Sequence, residues 1–454
     1  MVHPIVSANN QFCETKLLVN SATEKYIAKK YPKIIPDIIK ISASKQKEIN
    51  QFSILEWGHK EYGLWQELMS GEGIADIYVE LLYEVYAQYQ MDAIVYWGSN
   101  GAVRKFSKQS GIPAIDMELG CTRPPHFDSV VFDPVGVNGD SIHTELDFEQ
   151  IKHLVDNVHC NLDSLSTYYA NEAEQNLALA FKYSDSLKSL VSKKASSSQT
   201  VFIPLQLHDD ANLQRFSRYD SMLEFLKSIL PTLHEKNMLV LVKEHPAAAQ
   251  RINGRKIGEE LQKYLSDFEN VVFFRSTDMI DNIELINFSD CVITVNSSLG
   301  FEATFYRKPV IVMGEACYKL KNIFPTFNEY FVEESVNKNA YEEKIYYLKQ
   351  YFSLIVLHDK KLAFTPSYFY ATLNAIIVSC QGSNENPAQF AERLILLSQQ
   401  NLFYLQSSKQ EVSTNNSPPL NKYYQKKLIY CKQYLLAHHP RISHFLKKVR
   451  DVVR

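Results

Sequence analysis

Residues 291–314 read CVITVNSSLGFEATFYRKPVIVMG. An apolar, β-branched run from Cys291 to Val295 ends in Asn296-Ser297-Ser298. A second such run follows Arg307-Lys308-Pro309. Two buried strands joined by one helix-length segment describe a β-α-β unit of a parallel sheet. The polar residues between them fall where the first strand turns into the helix. A helix N-terminus attracts anions through its unpaired N–H groups and its dipole. Ser297 and Ser298 add hydroxyls there, and Gly300 lets a ligand approach the backbone. Glu302, in the first turn, is placed to accept hydrogen bonds from ribose hydroxyls or a base. A plainer reading also stands: a serine N-cap, with Glu302 merely favourable near the helix start.

Working outward, the same alternation repeats. VFIPLQ, NMLVLVKEHP, NVVFFRS, DCVITVN and KPVIVMG read as strands. HDDANLQRFSRYDSMLEFLKSILPTL, NGRKIGEELQKYLSD, DNIELINFS and SSLGFEATFYR read as the helices between them. That is a doubly wound domain from about 200 to 330. In open α/β sheets, ligands sit at the carboxyl ends of the strands. Four of those ends carry polar residues: Gln206 to Asn212, Lys243 to Pro246, Arg275 to Thr277 and Asn296 to Glu302.

The first half mixes patterns. GIADIYVELLYEVYAQYQ has helical periodicity. MDAIVYWGSNG, AVRKFSKQS and GIPAIDMELG read as strand, helix and strand, a second β-α-β unit. Glu118 closes the second of these strands. Arg123, His126, Asp133 and Asn138 then follow in what reads as a loop of about 20 residues, long enough to suggest function. Further helices with polar spacers run from 151 to 194.

At 454 residues the chain exceeds one ordinary core, so two domains are expected. The boundaries read as an acceptor-side α/β domain (1–191), a serine-rich linker (192–200), a nucleotide-sugar domain (201–330), a helical completion (331–405), a flexible loop (406–420) and a basic amphipathic tail (421–454). No apolar run of about 18 residues marks a membrane span, and the N-terminus lacks a signal-peptide pattern. Seven cysteines without paired spacing fit a reducing cytoplasm and argue against disulfides or zinc. The net charge of −3 conceals an asymmetry, because the last 34 residues hold nine Lys or Arg and one acid. Two readings of the tail stand: a peripheral membrane contact at the inner face of the cytoplasmic membrane, or an ordinary helix, solvated or packed on its own protein. The acidic body argues against nucleic acid as a partner.

Three further segments carry chemistry. In VKEHP, His245 is held extended by Pro246 and can donate to a phosphate oxygen, with Lys243 adding charge. A lone surface histidine is the alternative. In LQLHDDAN, one of Asp209 and Asp210 serves as N-cap to the next helix, which leaves the other over. A carboxylate beside an anomeric carbon acts as nucleophile or charge stabiliser. Glu118 is a candidate general acid or base facing the second domain, or else a structural partner of Arg123.

With these segments in hand, the chain resembles the bacterial retaining β-Kdo transferases and their capsule-synthesis relatives, which use CMP-activated 3-deoxy-D-manno-octulosonic acid (Kdo). The resemblance spans about 92–320. WGSNG and GIPAIDMELGCTRPPHFDSVVFDPVGVN resemble the family's strand, Glu-x-Gly-x-x-Arg and Asp-x-x-Gly segments. VFIPLQLHDDAN, VKEHP and TVNSSLGFEATFYRKPVIVMGEACY resemble its Pro-Leu-Gln strand, Lys-x-His-Pro and Asn-Ser-Ser-x-Gly-x-Glu-Ala segments. Tyr306-Arg307 departs from the small residue and glycine that many relatives carry before Lys-Pro. The resemblance implies a GT-B-like fold of two Rossmann-type domains facing across a cleft, with CMP-Kdo in the second. It implies Lys243, His245, Asn296, Ser297, Ser298, Gly300 and Glu302 as donor-binding residues. Asp210 aligns as nucleophile with Asp209 beside it, and Glu118 as acid/base. Asn100, Arg123, Gln206 and His208 are the acceptor- or Kdo-side candidates. The acceptor is a saccharide or glycolipid, and the chemistry needs no metal and no cofactor. A transferase with another donor (CMP-sialic acid or a UDP-sugar) and a non-catalytic assembly component remain open beside it.

Overall fold

Five short apolar runs of the second half form one sheet in which every pairing is parallel. The structure is a computed structural model that describes residues 14–49, 51, 63–123, 128–157, 185–251, 253–278, 280–380 and 387–392. The strands are labelled in chain order: β1 (Leu17–Leu18), β2 (Ile38–Ile39), β3 (Ile94–Trp97), β4 (Ala114–Leu119), β5 (Ser129–Asp133), β6 (Thr200–Pro204), β7 (Leu239–Lys243), β8 (Val271–Phe274), β9 (Cys291–Thr294), β10 (Val310–Val312) and β11 (His358–Asp359). His126, the helices read over 158–184, the loop 406–420 and the tail 421–454 lie outside the described residues.

The chain divides into two compact units. One comprises 1–121, 127–160 and 347–402; the other comprises 122–126, 161–346 and 403–454.

In the second unit the strand order is β10-β9-β6-β7-β8. The chain builds outward from β6 through β7 to β8, then returns to lay β9 and β10 on the other side of β6. That is the doubly wound order, and its direction reverses between β6 and β9. All five residues of β6 and of β7 are buried, as strands covered by helices on both faces must be. On one face Val201, Ile203, Val240, Val242 and Ile293 pack with Phe225, Leu226, Ile229 and Leu233 of the helix Met222–Glu235. Each such side chain contributes about 1.5–3 kcal/mol on burial.

One expected helix is two. The stretch after Asp210 gives Ala211–Arg215 and, after a break, Met222–Glu235. The Ser217 hydroxyl accepts from the Tyr219 N–H and donates to the Leu213 carbonyl, which ends the first helix. Ser221 then caps the second by accepting from the Glu224 N–H. The serine-rich stretch read as a linker holds the short helix Val191–Ser196.

In the first unit the sheet order is β11-β5-β4-β3. β3 and β4 are parallel across the helix Gly101–Ser110, as the β-α-β reading expected. β5 runs antiparallel to β4, and β11 antiparallel to β5. The reading of a 20-residue loop after Glu118 is thereby corrected. Ser-Val-Val-Phe-Asp forms a strand with all five residues buried. The nine residues 120–128 are too few for a crossover helix, so the chain turns back antiparallel. β11 likewise interrupts the run read as helical after residue 331. Among the described residues no helix is long and apolar enough to cross a membrane.

Candidate active site

The switch point between β6 and β9 is occupied by a side-chain knot. Gln206, just past β6, donates through Nε2 to Asn296 Oδ1 at 2.7 Å. The Asn296 N–H returns a bond to Gln206 Oε1 at 3.2 Å. Asn296 Nδ2 donates to the carbonyls of Asn212, Phe216 and Glu315 at 2.9–3.1 Å. Both residues are buried. Gly314 makes the crossing possible, because a Cβ there would lie 2.8 Å from the Phe216 carbonyl and 3.1 Å from Asn296 Nδ2. Asn296 and Gln206 therefore spend their polar groups on ordering the strand ends and the loop from Asn212 to Phe216.

The opening motif follows directly. Ser297 caps the helix Ser298–Phe305, its hydroxyl accepting from the Leu299 N–H at 3.3 Å. The Ser297 carbonyl takes the Tyr318 hydroxyl. Ser298 is the first helical residue and is half-buried. Gly300 has a different reason from the one expected. The place of its missing Cβ is filled by the Tyr318 hydroxyl at 2.5 Å and the Thr294 methyl at 2.9 Å. Its smallness admits Tyr318, not a ligand. Glu302 is buried, and its charge helps burial to push the Tyr306 hydroxyl pKa upward.

The ends of β6 and β7 hold the remaining groups. Asp210 caps the helix Ala211–Arg215, with Oδ1 accepting from the Asn212 N–H at 2.9 Å. Its carboxyl pKa is raised, mainly by burial, and the charge of Asp209 adds to this. Asp209 does not cap. Its Oδ1 is buried without a hydrogen bond and lies 3.6 Å from Nε of Arg251. His208 is half-buried, and its carbonyl accepts from Gln214 Nε2 at 2.8 Å. Lys243, buried at the end of β7, donates to Asn282 Oδ1 at 3.0 Å.

His245 accepts the Ala247 N–H on Nδ1 at 3.1 Å. A neutral ring with Nδ1 accepting carries its proton on Nε2, so the outer nitrogen is a donor. Burial, with the charges of Lys243 and Arg251, pushes the His245 pKa down to about 4. The ring is neutral at pH 7 and presents one N–H. The fourth polar strand end is committed elsewhere: Arg275 bonds Glu244 Oε2 at 3.4 Å and Gln262 Oε1 at 3.0 Å.

In the first unit, Asn100 caps the helix Gly101–Ser110 through bonds from the Ala102 and Val103 N–H groups. Glu118 accepts its neighbour's N–H, that of Leu119, at 2.7 Å, and its carboxylate lies beside Gly98. Arg123 donates to the Thr122 carbonyl at 2.7 Å. Asp133 is not a loop residue. It ends β5 and accepts from Val135, Gly136, Ser141 and Ile142.

The geometry thus brings Asp209, Asp210, His245, Ser297 and Ser298 to the carboxyl end of a doubly wound sheet, where such folds bind nucleotides. Residues 145–353 match the family described as capsule polysaccharide biosynthesis protein. The capsule-synthesis resemblance read from the motifs is borne out over this segment, which contains β6–β10 and every candidate from Gln206 to Glu302. Glu118, Asn100 and Arg123 lie before it. The chain is similar to the capsule polysaccharide export protein KpsS of Escherichia coli, at 25% identity over 26% of this chain and 31% of that one. It is also similar to the protein FixF of Sinorhizobium fredii, at 26% identity over 27% of this chain and 28% of that one. Each match thus spans under a third of the relative's length. Among solved structures, the β-Kdo 2,7 transferase of Thermosulfurimonas dismutans KpsC overlaps 73% of this chain and 90% of that one, with a TM-score of 0.37 and 16% identity.

Sequence reasoning passed over Arg251, Asn282 and the knot between Gln206 and Asn296. Arg251 sits in AAAQR, a stretch with no periodic signal. Gln206 and Asn296 are 90 residues apart, and only the sheet order joins them.

Proposed function

We propose that the chain is a glycosyltransferase of capsule or related surface-polysaccharide synthesis, moving Kdo from CMP-Kdo to a saccharide or glycolipid acceptor with retention. One observation carries this reading. His245 presents an Nε2–H within reach of the Asp209 charge, at the strand ends of a nucleotide-type sheet and within the capsule-synthesis segment. Ser297, Ser298 and the N-terminal end of their helix favour the donor phosphate, with Glu302 on the nucleoside side. Asp210 Oδ2 attacks the anomeric carbon as the carbon–oxygen bond to CMP breaks. The leaving phosphate takes up the charge, and the His245 Nε2–H stabilises it. An acceptor hydroxyl then attacks the same carbon, Glu118 takes its proton, and Asp210 is released as a carboxylate. No step calls on a metal ion. Two displacements on one carbon restore the donor's β configuration.

The test is incubation of the purified protein with CMP-Kdo and candidate acceptors, with product mass and linkage read by mass spectrometry and NMR. Transfer from a UDP-sugar but not from CMP-Kdo would reject the donor assignment. The export name of the first relative favours a second reading, a non-catalytic part of an assembly complex. Capsule formation that survives simultaneous replacement of Asp209, Asp210 and Glu118 would establish it.

A further inference from the structure

Arg251 has no part in the mechanism above, yet it is placed at its centre. The 3-10 turn Ala248–Gln250 lies just past the β7 strand end, and Arg251 follows it. Its Nε lies 3.6 Å from Asp209 Oδ1. Its positive charge also reaches the other two groups, favouring the ionised form of Asp210 and the neutral form of His245. Its side chain is 45% exposed, against 10% for that of Asp209. Among the described residues no hydrogen bond engages the guanidinium. Asp209 Oδ1 is buried without a hydrogen bond of its own.

An ion pair at that distance, half in solvent, is weak on its own account. Its geometry has a different use. A guanidinium offers five N–H donors in a planar fork that matches a carboxylate edge on. With Nε turned to Asp209, the Nη edge is left for another anion. The phosphate already has donors in the His245 Nε2–H and the serine-capped helix. The remaining anion of a 2-keto sugar acid is its carboxylate, bonded directly to the anomeric carbon. A nucleophilic aspartate approaching that carbon meets a like charge within bonding range. Repulsion between carboxylates so close is severe unless a cation stands between them.

We propose that Arg251 binds the carboxylate of the donor's sugar and so selects CMP-activated 2-keto sugar acids over nucleotide-activated neutral hexoses. The inference rests on the reading of this site as a CMP-sugar site. Asp209 then serves as a positioning residue that orients the guanidinium from behind. A neutral hexose has no carboxylate, so in its place the guanidinium would be covered without a partner, which disfavours that donor.

The test is calorimetric titration of CMP and of CMP-Kdo into the wild-type protein, Arg251→Met and Arg251→Lys at one ionic strength. A charged, forked contact of this kind is worth about 10- to 100-fold in affinity. Arg251→Met is expected to lose that factor for CMP-Kdo while its affinity for CMP changes less than about threefold, and retained CMP binding reports an intact fold. Arg251→Lys, which keeps the charge but not the fork, is expected to fall between. Equal CMP-Kdo affinity in wild type and Arg251→Met overturns the proposal. So does a parallel loss for both ligands, which assigns the arginine to phosphate. If wild type binds CMP but not CMP-Kdo, the CMP-Kdo reading of the site fails first and this inference falls with it.

Discussion

Two polar clusters at the same sheet edge have opposite economies. Around Asn296 every side-chain polar atom meets another protein group: Gln206 on one side, three backbone carbonyls on the other. Around Asp209 and His245 groups are left over: a buried carboxylate oxygen without a hydrogen bond, a ring N–H beyond the one nitrogen that is used, and an arginine fork with one edge free. Buried polar groups are ordinarily satisfied within the fold, so unused capacity at a strand end marks where a ligand belongs. The first cluster builds the edge, and the second is what the edge presents.

That difference is testable by substitution. Asp210→Asn keeps the helix cap, since Asn caps as well as Asp, but removes the nucleophile. The expected loss of kcat is about 10⁴-fold, with an unchanged denaturation midpoint. Full activity in this variant would move the attack to Asp209. His245→Gln is expected to lower kcat by about 100-fold, the usual cost of one donor to a developing anion. Steady-state kinetics with CMP-Kdo measures both.

Asn296→Ala should act through the other cluster. It leaves three carbonyls and Gln206 without their partner, and should cost about 3 kcal/mol of stability in urea unfolding. Loss of activity in that variant without loss of stability would break the distinction between the clusters. Ser298→Ala, which removes one half-buried hydroxyl from the presenting side, should raise KM for the donor by about 3- to 10-fold and leave stability unchanged.

The first unit supplies a third case, a pair of buried carboxylates facing each other across two strands. Asp116 and Asp133 are opposed on β4 and β5, and both are buried. Burial, with the charge of Asp133, raises the Asp116 pKa to about 9, against the opposing charge of Arg104 at 3.9 Å. The folded protein keeps a proton that the unfolded chain releases near its ordinary value of 3.8. Stability from this group is therefore fullest below about pH 4 and declines as the pH rises toward 9. Asp116→Asn cannot ionise, so its urea midpoint should exceed that of wild type at pH 8, and the gap should shrink at pH 4. A lower midpoint at pH 8 would show that Asp116 works as an ionised partner of Arg104.

Four of the five strands of the second unit, all but the edge strand β8, were legible because both of their faces are buried, which writes them as continuous apolar runs such as VITV and LVLV. Their polar ends were legible for the same reason, as breaks in those runs. What each polar residue does at its end was not legible. Asn296 and Ser297 are neighbours, yet one is consumed by a glutamine 90 residues earlier and the other caps a helix. Gly300 looked like room for a ligand because the sequence does not show Tyr318 filling that space. β5 was hidden because its buried Ser129 and Asp133 read as loop residues. β11 was hidden because two residues carry no periodicity.

The central claim is that the leftover groups serve transfer of a CMP-activated sugar acid. Its most direct test compares wild type with Asp210→Asn on CMP-Kdo and an oligosaccharide acceptor, with product mass by mass spectrometry and anomeric configuration by NMR. The account predicts a β-linked Kdo product from wild type and none from an equally stable Asp210→Asn. An α-linked product, or equal yield from the two proteins, would contradict it.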